Sequence, residues 1–460
     1  TQEDAYSALA GVYATLQNEA TFTNVRNAAD IEWAITGDLY EMDRSANRIE
    51  LHSLRFPASN TILRDIYQNS YLGISRANVV VDKISKSPIS QETKDQIIGQ
   101  ALFIRGLYYY NLVHFFGGVP LITTPLSASD DLQLPINSAD EVWDQVEKDM
   151  INASSLLPIK WDNDIDKGRV TKTSAWGFLV KAFLWREKWD DAIIYSEKIV
   201  SSGQHSLIET GFRDIFREEN ENNAEMVFST QFSTLQGEQN NLVARTAPRG
   251  APSKYTGPAA WSNFVPNRHW VNAMEKNTDN TIKDDRYSVI LGPTEIHPEN
   301  GYQLPAVPPA GMTKTGYIVT KYWFMPPIQN SGINAPILRY SEVLLNYAEA
   351  LNEKGKSDDA MRLVNQVRIR AKLEPKSVNL SKELVLDAIF EERRFEFIWE
   401  PTGGFNDLNR RGRFIEFIKK NRPDFQELGI DAKPWLHTKP ILFPIPTEAW
   451  TKNRALVQNP

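Results

Sequence analysis

The chain has 460 residues, long enough to bury a large core, and carries a formal net charge of −7. That balance argues against nucleic acid as a partner, because phosphate recognition leans on a basic face. The absence of cysteine excludes disulfides, thiolate nucleophiles and Cys-ligated metals, and no stretch reaches the roughly 18 unbroken apolar residues of a membrane span.

The chain opens at Thr1 with neither Met nor a signal-like apolar segment, and reads as a mature or trimmed form. Residues 4–17 predict a short amphipathic helix through Tyr6, Leu9, Ala10, Tyr13 and Leu16. The stretch from Asn18 to Asn60 has no long period and reads as an irregular lobe, a place for binding groups; it holds Trp33, Asp38, Tyr40 and Arg55. From Leu63 to Ile84 a core helix runs through Ile66, Tyr67, Ile74, Ala77 and Val81, then turns at SKSPIS. The apolar segment Gln91 to Pro120 follows. Ile97, Ala101, Ile104, Tyr108, Leu112 and Phe115 share one helical face, and Ile98, Leu102 and Tyr109 widen it. Gly117 and Gly118 supply the stop.

Ser138 followed by Glu141 is a capping box that starts another helix. Residues 169–203 and 336–371 each read as two helices around a tight turn, with small residues where the helices cross. Hairpins of about 34 residues look like tetratricopeptide-type units, although ordinary hairpins of an all-α bundle give the same pattern. The segment between Phe228 and Ala335 differs in kind. Twelve of the 26 prolines lie between Pro248 and Pro336, a density that blocks helix and central strand alike. Its many Trp and Tyr argue for order, so it reads as a loop-built lobe.

No phosphate-binding loop, dinucleotide fingerprint, nucleophile elbow or zinc-helix motif occurs, and the six histidines lack metal-ligand spacing. Neither a metal nor a cofactor is expected. His114 reads as a satisfied core residue. Adjacent acids such as Asp190–Asp191 and Asp358–Asp359 suit helix N-termini better than the facing carboxylate pair of a glycosidase. Glu391, Glu392, Arg393 and Arg394 read most simply as helix-surface ion pairs, and Arg339 with Glu342 as a buried structural pair. What remains is the equipment of the irregular stretches. Flat rings cover the C–H face of a sugar, while Asp and Arg bind its hydroxyl rim. Trp33, Tyr40, Trp261, Trp270 and Trp323 are the stacking candidates, with Asp38 and Arg55 hydrogen-bonding; the alternative for each ring is a local core anchor.

The chain resembles the SusD/RagB family, surface lipoproteins of Bacteroidetes nutrient uptake. The resemblance rests on Tyr71, Ile74 and Asn78; on Ala101, Arg105, Tyr109 and Leu112 leading into FFGGVPL; and on ILRYSEVLLNYAEA at 337–350. Asn365 to Arg368, EERRFEF, Asp407 to Arg410 and the ending FPIP-x-E with NRALVQNP complete it. It departs at EPTGGFNDL, where Gly404 stands in place of an expected Arg. The resemblance implies one SusD-like domain over 1–460, predominantly all-α, in which tetratricopeptide-like hairpins form a superhelical scaffold at about 63–227 and 336–400. A loop-rich ligand-binding lobe is expected at about 18–62 and 228–335, and a closing segment at 401–460. It also implies non-catalytic capture of oligosaccharides, a SusC-like TonB-dependent transporter as partner, and a lipid anchor at the outer face of the outer membrane, whose cysteine this chain lacks. Asp38 is the nearest counterpart of an acidic ligand-binding residue. Peptide binding, a scaffolding role and an α-helical glycoside hydrolase are the alternatives.

Overall fold

The apolar segment around which the sequence is organised forms the helix Gln91–Phe116. The computed structural model describes residues 1–18, 21, 27, 29–43, 45–127, 129–324, 331–430 and 433–459. Ser90 caps the helix by accepting from the Thr93 amide, and Gly117, at φ 69°, ends it in a conformation that favours glycine. Every residue from Gly99 to Phe116 is buried, as the two-sided apolar pattern requires.

These residues belong to the first of two compact units, which comprises Thr1–Asn27, Phe56–His205 and Lys433–Pro460. Within it the helices Thr61–Ser85, Gln91–Phe116, Ala139–Leu156, Lys172–Trp185 and Trp189–Ser201 pack as successive neighbours, the arrangement expected of tetratricopeptide-type hairpins. Gly73 permits the closest crossing: a Cβ there would lie 1.9 Å from the Tyr108 ring. Arg105 ties three elements together. Its guanidinium donates to both Asp149 oxygens at 2.8 and 2.6 Å, to Asn78 Oδ1 at 2.8 Å and to the Thr123 carbonyl. The Tyr109 hydroxyl accepts from the Ile122 amide and donates to the Ile122 carbonyl. Ser138 and Glu141 form the expected capping box, and His114 is buried with Nδ1 2.6 Å from the Tyr110 carbonyl.

The second unit comprises Ala28–Arg55 and Ser206–Ala432. The helices Tyr340–Glu353, Ser357–Arg370 and Lys382–Glu396 pack on one another. Beside them in the same unit, among the described residues, are three two-stranded antiparallel pairs: Leu39–Glu41 with Phe264–Pro266, Met226–Thr230 with Ala335–Arg339, and Ile290–Leu291 with Ile318–Val319. A two-stranded pair has only edges, so Pro266 and Pro336 are tolerated inside strands.

This unit is threaded by buried ion pairs. Arg339 is fully enclosed and pairs with Glu225 at 2.5 Å, Glu396 at 2.7 Å and Glu400 at 2.7 Å. Glu342, also buried, instead accepts from Thr402 and faces Arg393, so the two residues read as one pair have separate partners. A second correction concerns the EERR run. Glu391 is exposed, but Glu392 pairs with Arg286 at 2.5 Å, Arg393 with Asp407 at 2.6 Å and Arg394 with Asp38. Helix-surface pairing accounts for only the first of the four, because protein covers the remaining face of Lys382–Glu396. Each of these charges costs several kcal/mol to desolvate and is tolerated only because it is paired.

Candidate functional site

Two irregular segments of the second unit meet through a short strand pairing. Leu39, Tyr40 and Glu41 lie opposite Pro266, Val265 and Phe264, and the ladder continues as Met42 N–H donates to the Asn263 carbonyl at 2.7 Å. At the other end the Asn267 amide donates to the Asp38 carbonyl. Asp38 and Tyr40 therefore share a loop cluster with residues 261–270, although more than 200 residues separate them in sequence.

The seven residues singled out from sequence divide sharply by burial. Trp33, Trp270 and Trp323 are 0% exposed. Their indole N–H groups donate to the Glu400, Arg394 and Tyr255 carbonyls, at 2.9, 3.3 and 3.1 Å. Trp270 also packs on Phe395, and Trp323 on His297. Rings sealed on both faces offer no stacking platform, so the local-anchor alternative describes these three. A loop-rich segment without long helices makes its own small cores, and large aromatics are what fill them. Tyr40 and Trp261 are half-buried and Arg55 is exposed; these three keep surface that a ligand can reach.

Trp261 is held from behind. Its amide donates to the Ala244 carbonyl at 2.8 Å, and the Arg245 guanidinium lies 5.3 Å from the ring centre. Ser262 binds the Ala247 carbonyl through its amide, while its hydroxyl accepts from the Arg249 amide at 2.9 Å. On the same loop the Tyr255 ring packs on Tyr302 and carries Lys254 Nζ 4.6 Å from its centre. Tyr40 meets the His52 ring edge-on at 5.8 Å.

Asp38 is 1% exposed, and both its oxygens are engaged: Arg394 Nε donates to Oδ2 at 2.9 Å and Arg394 Nη2 to Oδ1, while His269 Nε2 lies 3.2 Å from Oδ1. Burial pushes this carboxyl up, but Arg394 and His269 outweigh it and hold the group below the usual Asp value. The pair forms part of the inner wall of a cleft of about 640 Å³, with Phe390, Phe417 and Leu384 as apolar lining. The charged lining is mostly neutralised locally, Lys376 pairing with Glu391 and Arg413 with Asp387. Among the described residues no group of three His, Asp or Glu side chains is placed to hold a metal, and no helix is long and apolar enough to cross a membrane.

A family model described as the SusD family matches residues 224–460. The chain belongs to the SusD family. A second model, described as starch-binding associating with outer membrane, matches residues 4–184. A SusD-like protein of Formosa agariphila is 24% identical, with 100% of this chain and 91% of that protein covered. One from Bacteroides ovatus is 26% identical over 87% of this chain and 74% of its own length. Among solved structures, a SusD superfamily protein of Bacteroides vulgatus superimposes with a TM-score of 0.82 at 24% identity, covering 100% of this chain and 98% of that one. A laminarin-binding SusD-like protein superimposes with a TM-score of 0.77 at 24% identity, covering 100% and 99%.

The SusD-family motif residues of this chain are structural where their contacts are seen. Asn78, Arg105 and Tyr109 hold the core hairpin, and Arg394 neutralises Asp38. The departure at Gly404 also has a steric reason: a Cβ there would lie 2.1 Å from the Glu32 carbonyl oxygen, so no side chain fits. Sequence reasoning passed over Arg249, whose amide is bonded to Ser262 beside Trp261, and Tyr255 and Lys254 on the same loop. A signal for them existed, since residues 239–274 contain four Lys or Arg and no Asp or Glu.

Proposed function

We propose that this SusD-family protein captures oligosaccharides without cleaving them, and does so at the loop cluster of Trp261 and Tyr40 in the second unit. The observation that carries the reading is the half-open Trp261 ring, backed by Arg245 and fixed by its amide to a neighbouring loop. An indole fixed on one side presents its remaining surface at little entropic cost, which suits the apolar face of a pyranose ring. Tyr40 and Arg55 supply a phenol and a guanidinium for the hydroxyl rim. Two similar structures, a laminarin-binding SusD-like protein and a surface glycan-binding protein of Bacteroides fluxus, support the same ligand class. The family description supports a place at the outer membrane, where delivery to a SusC-like transporter by a lipid-anchored protein gives capture its purpose.

Calorimetric titration of defined oligosaccharides into wild type and Trp261→Ala tests this. Binding that disappears in a still-folded Trp261→Ala protein is the expected result; unchanged binding moves the site elsewhere. A second reading, peptide capture, is favoured by the 640 Å³ cleft with its mixed charges. It predicts that Phe417→Ala weakens binding of a mixed-charge peptide while Trp261→Ala does not.

A further inference from the structure

In the second unit nearly every arginine is matched to a carboxylate. Arg48, Arg213, Arg217, Arg286, Arg339, Arg362, Arg368, Arg370, Arg393, Arg394, Arg410, Arg411, Arg413 and Arg422 all form ion pairs. Against that background three exposed arginines, Arg55, Arg249 and Arg268, have no carboxylate partner among the described residues, and neither has the exposed Lys254. All four lie in the irregular segments that the Leu39–Glu41 and Phe264–Pro266 pairing joins. Exposed lysines elsewhere in the unit, such as Lys314 and Lys420, also lack a carboxylate among the described residues, so it is the unpaired arginines that coincide with the candidate site.

The surroundings explain why the charges stand uncompensated. Residues 239–274 carry Arg245, Arg249, Lys254 and Arg268 and no acid, so their side-chain charge is +4 in a chain whose total is −7. Arg249 is anchored next to Trp261 by the bond from its amide to Ser262 Oγ, which leaves its side chain exposed. Lys254 stands over the Tyr255 ring and projects from the same loop. Arg268 donates through Nε to the Thr315 carbonyl, an uncharged partner that leaves its full charge in place. Clustered like charges are mutually unfavourable, and that cost is relieved when an anion binds among them. Guanidinium groups match planar carboxylate and tetrahedral sulfate oxygens by paired hydrogen bonds. Rings beside cations fit a pyranose that bears such a group.

We infer that the ligand of this site is an acidic oligosaccharide, bearing carboxylate or sulfate groups, recognised by Arg249 and Lys254 beside the Trp261 and Tyr255 rings. The inference rests on the glycan-capture reading and narrows it. Affinity electrophoresis through gels containing alginate, carrageenan, laminarin or polyglutamate tests both together, with wild type, Trp261→Ala and the Arg249→Ala, Lys254→Ala double variant. The expected result is retardation by alginate or carrageenan, weakened about tenfold or more in the double variant and also lost in Trp261→Ala. Alginate alone identifies the group as carboxylate, and carrageenan alone as sulfate. Retardation by laminarin only, unchanged in the double variant, overturns acidic recognition and leaves glycan capture standing. Equal retardation by polyglutamate, insensitive to Trp261→Ala, is ion exchange and overturns the inference. No retardation in any gel overturns the inference together with the reading beneath it. Both substituted side chains are exposed, so the double variant is expected to keep the wild-type melting temperature.

Discussion

Asp38 and Arg394, 356 positions apart, form a buried two-pronged ion pair, Nε to Oδ2 at 2.9 Å and Nη2 to Oδ1 at 2.5 Å. With both oxygens bonded to Arg394 and 1% of the residue exposed, Asp38 ties its loop to the helix Lys382–Glu396.

Asp38→Asn is therefore expected to cost about 3–5 kcal/mol of stability, because it leaves Arg394 charged and buried with its main partner gone. Ligand affinity of the folded fraction should not change. Acid titration gives the sign independently: the carboxyl is held below its ordinary 3.8 in the folded protein. Its contribution is complete above the unfolded value and is lost as pH falls through the folded one. Urea unfolding at pH 7 and pH 3 should show the variant's deficit shrinking at the lower pH. An equal deficit at both would mean that the loss is steric.

Trp261→Ala and Trp323→Ala should fail in opposite ways. Trp323 is sealed against His297 and Tyr302, and its truncation should cost about 3–5 kcal/mol by opening a cavity. Trp261 is half-buried, and its loss should cost about 1 kcal/mol while removing ligand binding. Thermal unfolding beside calorimetry separates the two; a Trp261→Ala protein that melts as low as Trp323→Ala would make Trp261 another core anchor.

Much of this was readable in the chain and part of it was not, for physical reasons. The 3.6-residue period of Gln91–Phe116 and its glycine stop are local signals, and the helix follows them within a residue or two. The fate of a tryptophan in a proline-rich loop is not local. Nothing in the neighbourhood of Trp33 announces that its N–H will bind the carbonyl of Glu400, 367 residues on. The EERR run misled for the same reason, since charge spacing on a helix does not tell whether other elements cover that face. The acid-free run at 239–274 was the opposite case, a local signal visible all along.

Gly404 and Gly11 give a matched pair of substitutions. Gly404→Ala should cost about 3 kcal/mol, the upper end for overpacking, because the atom it meets is the Glu32 backbone oxygen, which cannot swing aside. Gly11 lies in the helix Gln2–Tyr13 with open space around it, so Gly11→Ala should add about 0.5–1 kcal/mol. Denaturant midpoints check both. A harmless Gly404→Ala would mean that the loop has slack to take a side chain there.

Glu221 makes stability depend on pH in the direction opposite to Asp38. Burial raises its carboxyl to about 7, with the nearby Glu218 adding to the shift and the Asn334 amide, 2.6 Å from Oε1, opposing it. The folded protein therefore keeps a proton that the unfolded chain releases near 4.5, the group's ordinary value. The stabilisation is full below 4.5 and is lost as pH rises through about 7. Glu221→Gln retains an acceptor for the Asn334 amide and cannot ionise. Wild type and variant should melt together at pH 4, and the variant should melt higher at pH 8. Scanning calorimetry at pH 4, 6 and 8 reads this directly, and a constant gap across the range would show that Glu221 is already ionised in the folded protein.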